Sequence, residues 1–328
     1  MLVAIVAVVT TWTGAWFYGR SVLAAQLDQQ IRRLADDGVD LACADLTIAG
    51  YPFRYEVGCR SMRSSDRSGA AGSLGGLNAV ALIYNPRHAI FEAASPASLD
   101  VPLAGVKGDL TWDTARASLK FSDSSYATLG ALDAVLEAPR AAFASADAGG
   151  LASAGRAELH LREAPSRAGT LEGFLTVDAL KLDSLPELQE TLGLRLHARV
   201  EGGTALLAGA DLAALVAAGG GALPLDLVEA EVRLASGRAA ASGDLILADD
   251  GTLSGTLELT LGNADALLEA LRPLFPPQDR TYPVLKTVVQ SLPAAEAEGE
   301  RTATIPVTLN RGQVLLGFLP AGRIPPLF

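Results

Sequence analysis

Aromatic residues are scarce in this chain, at 5% of 328 positions, and histidine occurs only three times. Few aromatics leave few platforms on which bases or sugars could stack. Basic residues are also in deficit, 26 against 37 acidic, for a formal charge of -11. Such a surface repels phosphate backbones, which excludes a nucleic-acid partner. His88, His160 and His197 are scattered and the two cysteines stand 16 positions apart, so no ligand cluster has metal-binding spacing. No strand-turn-helix carries G-x-S-x-G, and no G-x-x-x-x-G-K precedes Ser or Thr. Nucleophile-elbow and phosphate-loop chemistries are therefore missing. The carboxylate pairs Asp249-Asp250 and Glu296/Glu298 sit in turn-like or acidic stretches where solvation accounts for them. The expectation is a non-enzymatic protein with no catalytic residue, no metal and no cofactor.

What is present is aliphatic. Hydrophobic residues reach 49% against 19% charged, enough to bury a core in one large or two ordinary domains. Residues 1–18 carry no charged side chain, and Trp12, Trp16, Phe17 and Tyr18 gather at their far end. As a helix this stretch rises roughly 27 Å, enough to cross a bilayer core with aromatics at the interface. A cleaved secretory signal ending at Val22-Leu23-Ala24 is the alternative, but the apolar run is long for a signal and lacks a basic start. The reading adopted is a transmembrane anchor over 1–19 followed by a stalk over 20–36, where Leu23, Leu27, Ile31 and Leu34 recur at helical spacing.

Residues 39–60 hold both cysteines around Gly50-Tyr51-Pro52. The glycine and proline predict a reversal at Tyr51, from which Cys43 and Cys59 are equidistant. Alternation then sets the two thiols opposite each other on one face, where a disulfide can close; two buried free thiols are the alternative. A disulfide implies an oxidising compartment. The same register puts Asp45 opposite Val57, and Leu46 and Ile48 on the face of Arg54 and Glu56, which a clean amphipathic hairpin would not do.

The body, 37–328, reads as mainly β: an elongated, curved antiparallel sheet or sheets with a few short amphipathic helices, in two similar halves meeting near 180–193. Residues 61–76, rich in Ser, Gly and Arg, read as a surface connection. Strand-like runs at 77–84 and 88–93 flank a reversal at Asn85-Pro86, and runs at 106–112 and 117–121 suggest a hairpin with a loop at 113–116. Ser184-Leu185-Pro186-Glu187 fits a capping box opening a helix that Gly193 ends. Alternation over 194–200 puts Arg195, His197 and Arg199 on one side, so His197, like His160, reads as solvated. Asp211 caps a small helix, 253–261 is the clearest strand, and Asp265 caps a helix ended by Pro273 and the Pro276-Pro277 pair. A second helix runs from Pro283 to a stop at Pro293. A last hairpin turns about Asn310-Arg311-Gly312.

Two reversals each combine an aromatic, a proline and an arginine: Tyr51-Pro52-Phe53-Arg54 and Tyr84-Asn85-Pro86-Arg87. They form a candidate partner surface, with the arginines as planar donors to carboxylate or phosphate; turn-setting and pairing with acidic neighbours is the plainer reading. Gly50-Tyr-Pro-Phe-Arg54 with Cys59, Tyr84-Asn-Pro-Arg-His88, and Val314-Leu-Leu-Gly317 leading to Ile324-Pro-Pro-Leu327 resemble the domain of unknown function 2125 family. That resemblance implies a membrane-anchored protein of a Gram-negative envelope and carries no activity with it. The run Leu253-Ser-Gly-Thr-Leu-Glu-Leu259 before a capped helix is more loosely similar to AsmA-type envelope proteins, whose sheets curve into lipid-carrying grooves. The expected protein is thus a single-pass inner-membrane protein with its bulk in the periplasm, shielding lipid along an apolar β groove. The alternative is a binding or assembly scaffold for another envelope protein.

Overall fold

The uncharged amino terminus and its leucine-spaced continuation form one unbroken helix, α1 (Leu2–Asp36). This computed structural model describes residues 1–122, 128–145, 149–275, 281–291, 295–297, 300–317 and 319–328. Pro276, Pro277, Pro293 and Glu298 lie outside the described residues. The helix is long and apolar enough to cross a membrane. Thr13, Trp16, Gly19, Leu23, Leu27 and Ile31 are its covered positions, a stripe at three- and four-residue spacing.

The chain divides into two compact units, 1–123 with 134–151, and 124–133 with 152–328. Residues 180–193 lie inside the second. In the first unit all pairings are antiparallel. The strands are β1 (Val39–Ala44), β2 (Thr47–Ala49), β3 (Arg54–Cys59), β4 (Ser61–Asp66), β5 (Ala71–Leu82), β6 (Asn85–Val101), β7 (Val106–Thr111) and β8 (Thr114–Phe121). β9 (Leu129–Glu137) is divided, 129–133 counted with the second unit and 134–137 with the first, and β10 (Arg140–Ala144) follows. The long strands β5 and β6 are each flanked by pairs of short ones. β5 takes β4 along its first half and β3 along its second, while β6 takes β8 and then β7. β1 pairs with β4, β2 with β3, and β10 with β7.

Two expectations fail here for one reason. The Ser-rich 61–76 segment is strand on both sides of a tight turn at 67–70, and β7 and β8 do not fold back on each other but run on, both against β6. Every tier of the sheet breaks at the same level: Asp45 with φ +52°, Arg60 between β3 and β4, a register shift at Gly75 in β5, Ser95-Pro96 in β6, and Trp112-Asp113 between β7 and β8. The breaks are stitched across tiers, Arg60 N to Ala44 O (2.9 Å), Trp112 N to Ser95 Oγ (3.3 Å) and Asp113 N to Glu137 O (3.0 Å). A crease therefore crosses the sheet. Polar composition and a local turn pattern signalled loops at 61–76 and 113–116; pairing with partners remote in sequence overrode both.

In the second unit β11 (Gly149–Ser153) and β12 (Arg156–Glu163) both pair with β13 (Leu171–Leu182). The ladder continues through β14 (Leu192–Val200), β15 (Ala222–Arg233), β16 (Arg238–Ala248) and β17 (Leu253–Gly262). β17 then meets β19 (Glu300–Asn310), which pairs along its other edge with β18 (Ala295–Ala297) and β20 (Gln313–Leu316); β20 pairs with β21 (Leu319–Arg323). The helices are α2 (Thr204–Leu207), α3 (Leu212–Ala218), α4 (Ala264–Ala270) and α5 (Thr281–Ser291). α3 opens on Asp211, whose carboxylate accepts from Ala214 N, as the sequence predicts. α4 opens on Asn263 instead of Asp265, which sits in its first turn.

The capping-box helix does not form. Residues 183–191 are turn and coil, in which Leu188 and the following Leu192 drop into a core with Leu234, Leu261, Leu267 and Ile305. So short a segment gains less from helical hydrogen bonds than from burying those leucines. Two further clusters, Leu215/Val216/Leu223/Leu247 and Leu245/Val307/Leu309, complete the cores of this unit.

Candidate functional site

The 51–54 motif is not wholly a free surface, because it grips α1. Tyr51-Pro52-Phe53 turns between β2 and β3, and four bonds tie this end of the sheet to one face of α1. Trp12 Nε1 donates to Pro52 O (2.9 Å), Thr13 Oγ1 pairs with Tyr51 Oη (2.8 Å), Trp16 Nε1 donates to Arg54 O (3.1 Å), and Arg20 Nε donates to Ile48 O (3.0 Å). Tyr55 Oη returns a bond to Trp16 O (3.2 Å), and its ring stacks on the Trp16 indole at 5.5 Å. Burial pushes the Tyr55 phenol up from its ordinary pKa. Gly19 lets the Tyr55 hydroxyl reach the helix backbone, since a Cβ there would overlap it. Trp12, Trp16, Gly19 and Arg20 escaped the sequence reading as contact residues. Their i, i+4, i+7, i+8 spacing on one helix face was the available signal.

The second motif lies beside the first: Ile83 N donates to Phe53 O (3.0 Å) and Arg54 pairs with Leu82. The turn centres on Ile83-Tyr84, two residues before the expected Asn85-Pro86, and Asn85, Pro86 and Arg87 open β6. Tyr84 and Phe53 remain largely exposed, at 76% and 62%. Arg54 pairs with Glu56 on its own strand.

The cysteines are bonded, with Cα atoms 5.5 Å apart. Their geometry corrects the expected hairpin. Ile48 pairs with Val57, three positions away from the symmetric register, and Cys43 lies opposite Met62 on β4. An odd shift exchanges faces, so Ile48 now shares a side with Val57 and Tyr55, and the mixed-face anomaly disappears. The sulfur bridge runs diagonally over the crease from the end of β1 to the end of β3. Closing 16 residues, it contributes on the order of 3 kcal/mol.

Cross-strand registers sort the first unit into two faces. Below the crease the rows Leu41/Ser64/Gly72/Leu99/Gly108/Phe143 and Cys43/Met62/Leu74/Ala97/Leu110/Ala141 are apolar or small; the intervening row runs Ala42/Arg63/Ser73/Ser98/Asp109/Ala142. Above it, Val57/Ala79/Phe91/Ala117 alternates with Gly58/Asn78/Glu92/Arg116. Since Cys43 and Cys59 belong to the apolar rows on either side, their bond places both apolar faces on the same side of the sheet. Leu99 and Phe143 are half open there, at 52% and 50% exposure. The polar side carries a groove of about 600 Å³ along the crease, lined among others by Asn78, Asp113 and Thr114, where Arg60 pairs with Asp45 and Arg116 with Glu92.

The second unit holds a different cluster on its polar strand face. Glu172, nearly buried, accepts from Arg162, His197 and Arg199, all at 3.0 Å, and Arg199 reaches on to Asp226 (3.5 Å). The His197 bond above all, with the two guanidiniums, holds the Glu172 carboxyl down to about 2. His197 is therefore a partnered group, contrary to the solvated role expected of it. His160 bridges Asp133 and Glu158, and the Asp133 bond leads in raising its pKa. Among the described residues no group of His, Cys, Asp and Glu is arranged to hold a metal.

The class defined by these features is a mainly antiparallel β protein whose sheet is clamped to an N-terminal apolar helix, itself a candidate membrane anchor. The chain belongs to the family described as "Uncharacterized protein conserved in bacteria (DUF2125)", whose model matches residues 16–325. No curated protein and no solved structure matches it.

Proposed function

We propose that this is a non-enzymatic, membrane-tethered protein of the periplasmic side of the envelope that shelters a lipid chain along the apolar face of its first unit. The observation that carries the reading is the half-open row from Leu41 through Leu99 to Phe143. Spanning β1, β4, β5, β6, β7 and β10, it covers five inter-strand spacings, roughly 24 Å. One leaflet of hydrocarbon is about 15 Å thick, so an extended acyl chain fits along the row. The disulfide supports the exported side, since such bonds persist in oxidising compartments. The scaffold alternative draws on the 51–54 and 84–87 surface, half of which is already engaged with α1.

The test is lipid content. The full chain, extracted in mild detergent, should carry phospholipid detectable by mass spectrometry. The double variant Leu99→Asp, Phe143→Asp should lose most of it while keeping its disulfide and β circular dichroism. Equal lipid in both proteins would sink the reading.

A further inference from the structure

The clamp brings together an unusual share of the chain's aromatic residues. Of 18 aromatic side chains, eight lie on helix positions 12–18, at the two turn tips, or, for Tyr55, directly beneath them: Trp12, Trp16, Phe17, Tyr18, Tyr51, Phe53, Tyr55 and Tyr84. Trp16 and Tyr55 are used in holding helix to sheet. Trp12 and Tyr51 also bond across the clamp, yet they, with Phe17, Phe53 and Tyr84, keep much of their surface open. Trp12 lies 6.3 Å from Phe53, and Phe17 stacks on Tyr51 at the same distance, so the open rings of helix and tip are contiguous.

We infer that the two tips, Tyr51-Pro52-Phe53 and Ile83-Tyr84, sit in the headgroup region of a phospholipid bilayer and hold that end of the first unit's sheet against the membrane surface. The inference rests on the anchoring proposed above, but concerns the sheet and not the helix. Three observations select a bilayer as the partner. The tips are continuous with α1 at the level of Trp12, and the helix on the amino-terminal side of that level, through Thr11, is apolar and exposed. Turn backbone does not enter hydrocarbon, because its N–H and C=O groups would go unpaired; the boundary of the hydrocarbon therefore falls near Trp12, with residues 2–11 of α1, about 15 Å of helix, on its apolar side and the remainder of the expected 1–19 span docked on the sheet at the interface. Side chains with an apolar ring and a polar edge, Trp and Tyr, are those that partition to this boundary, and three arginines, at 20, 54 and 87, flank the cluster in sequence against one carboxylate, Glu56, which pairs with Arg54. A protein partner would need the tips to be free of the membrane plane that α1 imposes on them.

Depth measurement tests this directly. In separate variants, Ala7→Cys, Phe53→Cys, Tyr84→Cys and Leu103→Cys receive a nitroxide with the native disulfide intact, and the full chain is reconstituted into phosphatidylethanolamine/phosphatidylglycerol vesicles. Leu103 is 82% exposed in the turn between β6 and β7, away from the tips, and serves as the aqueous reference. The ratio of collisions with oxygen to collisions with a water-soluble nickel chelate should be highest at 7, several-fold above the reference at 53 and 84, and lowest at 103. If 7 reads hydrocarbon while 53 and 84 read as aqueous as 103, the anchoring stands and the tip inference is overturned. If 7 itself reads aqueous, both are overturned. Retained disulfide and β circular dichroism in each labelled variant show that the readings come from folded protein.

Discussion

Among single residues, Glu172 concentrates the most electrostatic consequence. Its carboxylate is nearly buried between two guanidiniums and an imidazole, and it titrates at about 2 against an ordinary 4.5. A folded-state pKa below the unfolded one means that the contribution is complete above about pH 5 and is lost as pH falls toward 2. The size is on the order of 2 to 3 kcal/mol. Glu172→Gln should therefore lower the urea midpoint at pH 7 and flatten the loss of stability between pH 5 and pH 3. Parallel pH profiles for the two proteins would show that the ion cluster is not what the acid limb reports. None of this was visible in the alternation of 194–200. The pattern placed His197 and Arg199 on the polar side correctly, but a polar side is not always a wet one, and the carboxylate that dries it comes from a neighbouring strand, Glu172 pairing with Arg199 in register.

Elements meet where Gly19 faces Tyr55, and the sterics there make helix docking testable without removing any aromatic. A methyl at Gly19 would collide with the Tyr55 hydroxyl, while the ring carbon behind that hydroxyl stands 3.1 Å away. Gly19→Ala should cost about 2 kcal/mol by overpacking, and Tyr55→Phe about 1 kcal/mol for its bond to Trp16 O. The double variant should be more stable than the sum predicts, because removing the hydroxyl makes the room the methyl needs. Thermal unfolding of all four proteins in detergent gives the cycle; strict additivity would mean that helix and sheet are not in contact at this point. Legibility in the sequence follows the same division between local and remote. The helix, its stripe from Leu23 to Ile31 though not the exposed Leu34, the Asp211 cap, the 253–261 strand and the hairpin at Asn310-Gly312 were readable because neighbours in sequence determine them. The crease was not, because Asp45, Arg60, Gly75, Ser95-Pro96 and Trp112 lie on different strands and only pairing aligns them. Cys43 and Cys59 show the boundary case, in which the bond was foreseen from symmetric spacing and the register that carries it was not.

On the scale of the molecule, burial is divided unevenly between the two units. Of the buried apolar side chains among the described residues, only Trp16, Ala89, Trp112 and Pro139 belong to the first unit; all the others, and all three leucine-rich clusters, belong to the second. A sheet with one apolar face gains stability in proportion to the area it removes from water, so the first unit, as it stands, draws less from hydrophobic burial than its composition allows. A bound acyl chain and a bilayer surface would supply the missing cover, and their stabilisation should be local to that unit by mass action. Amide hydrogen exchange of the full chain can read this strand by strand. In detergent, β5 and β6 should exchange faster than β15, β16 and β17. Transfer to phospholipid vesicles should slow β5 and β6 and α1 residues 12–20 severalfold while leaving β15 to β17 unchanged. Uniform slowing would point to a general effect of the bilayer environment, and equal protection of β5 and β15 already in detergent would show that the first unit needs no cover, leaving its open leucines and Phe143 without the role proposed for them.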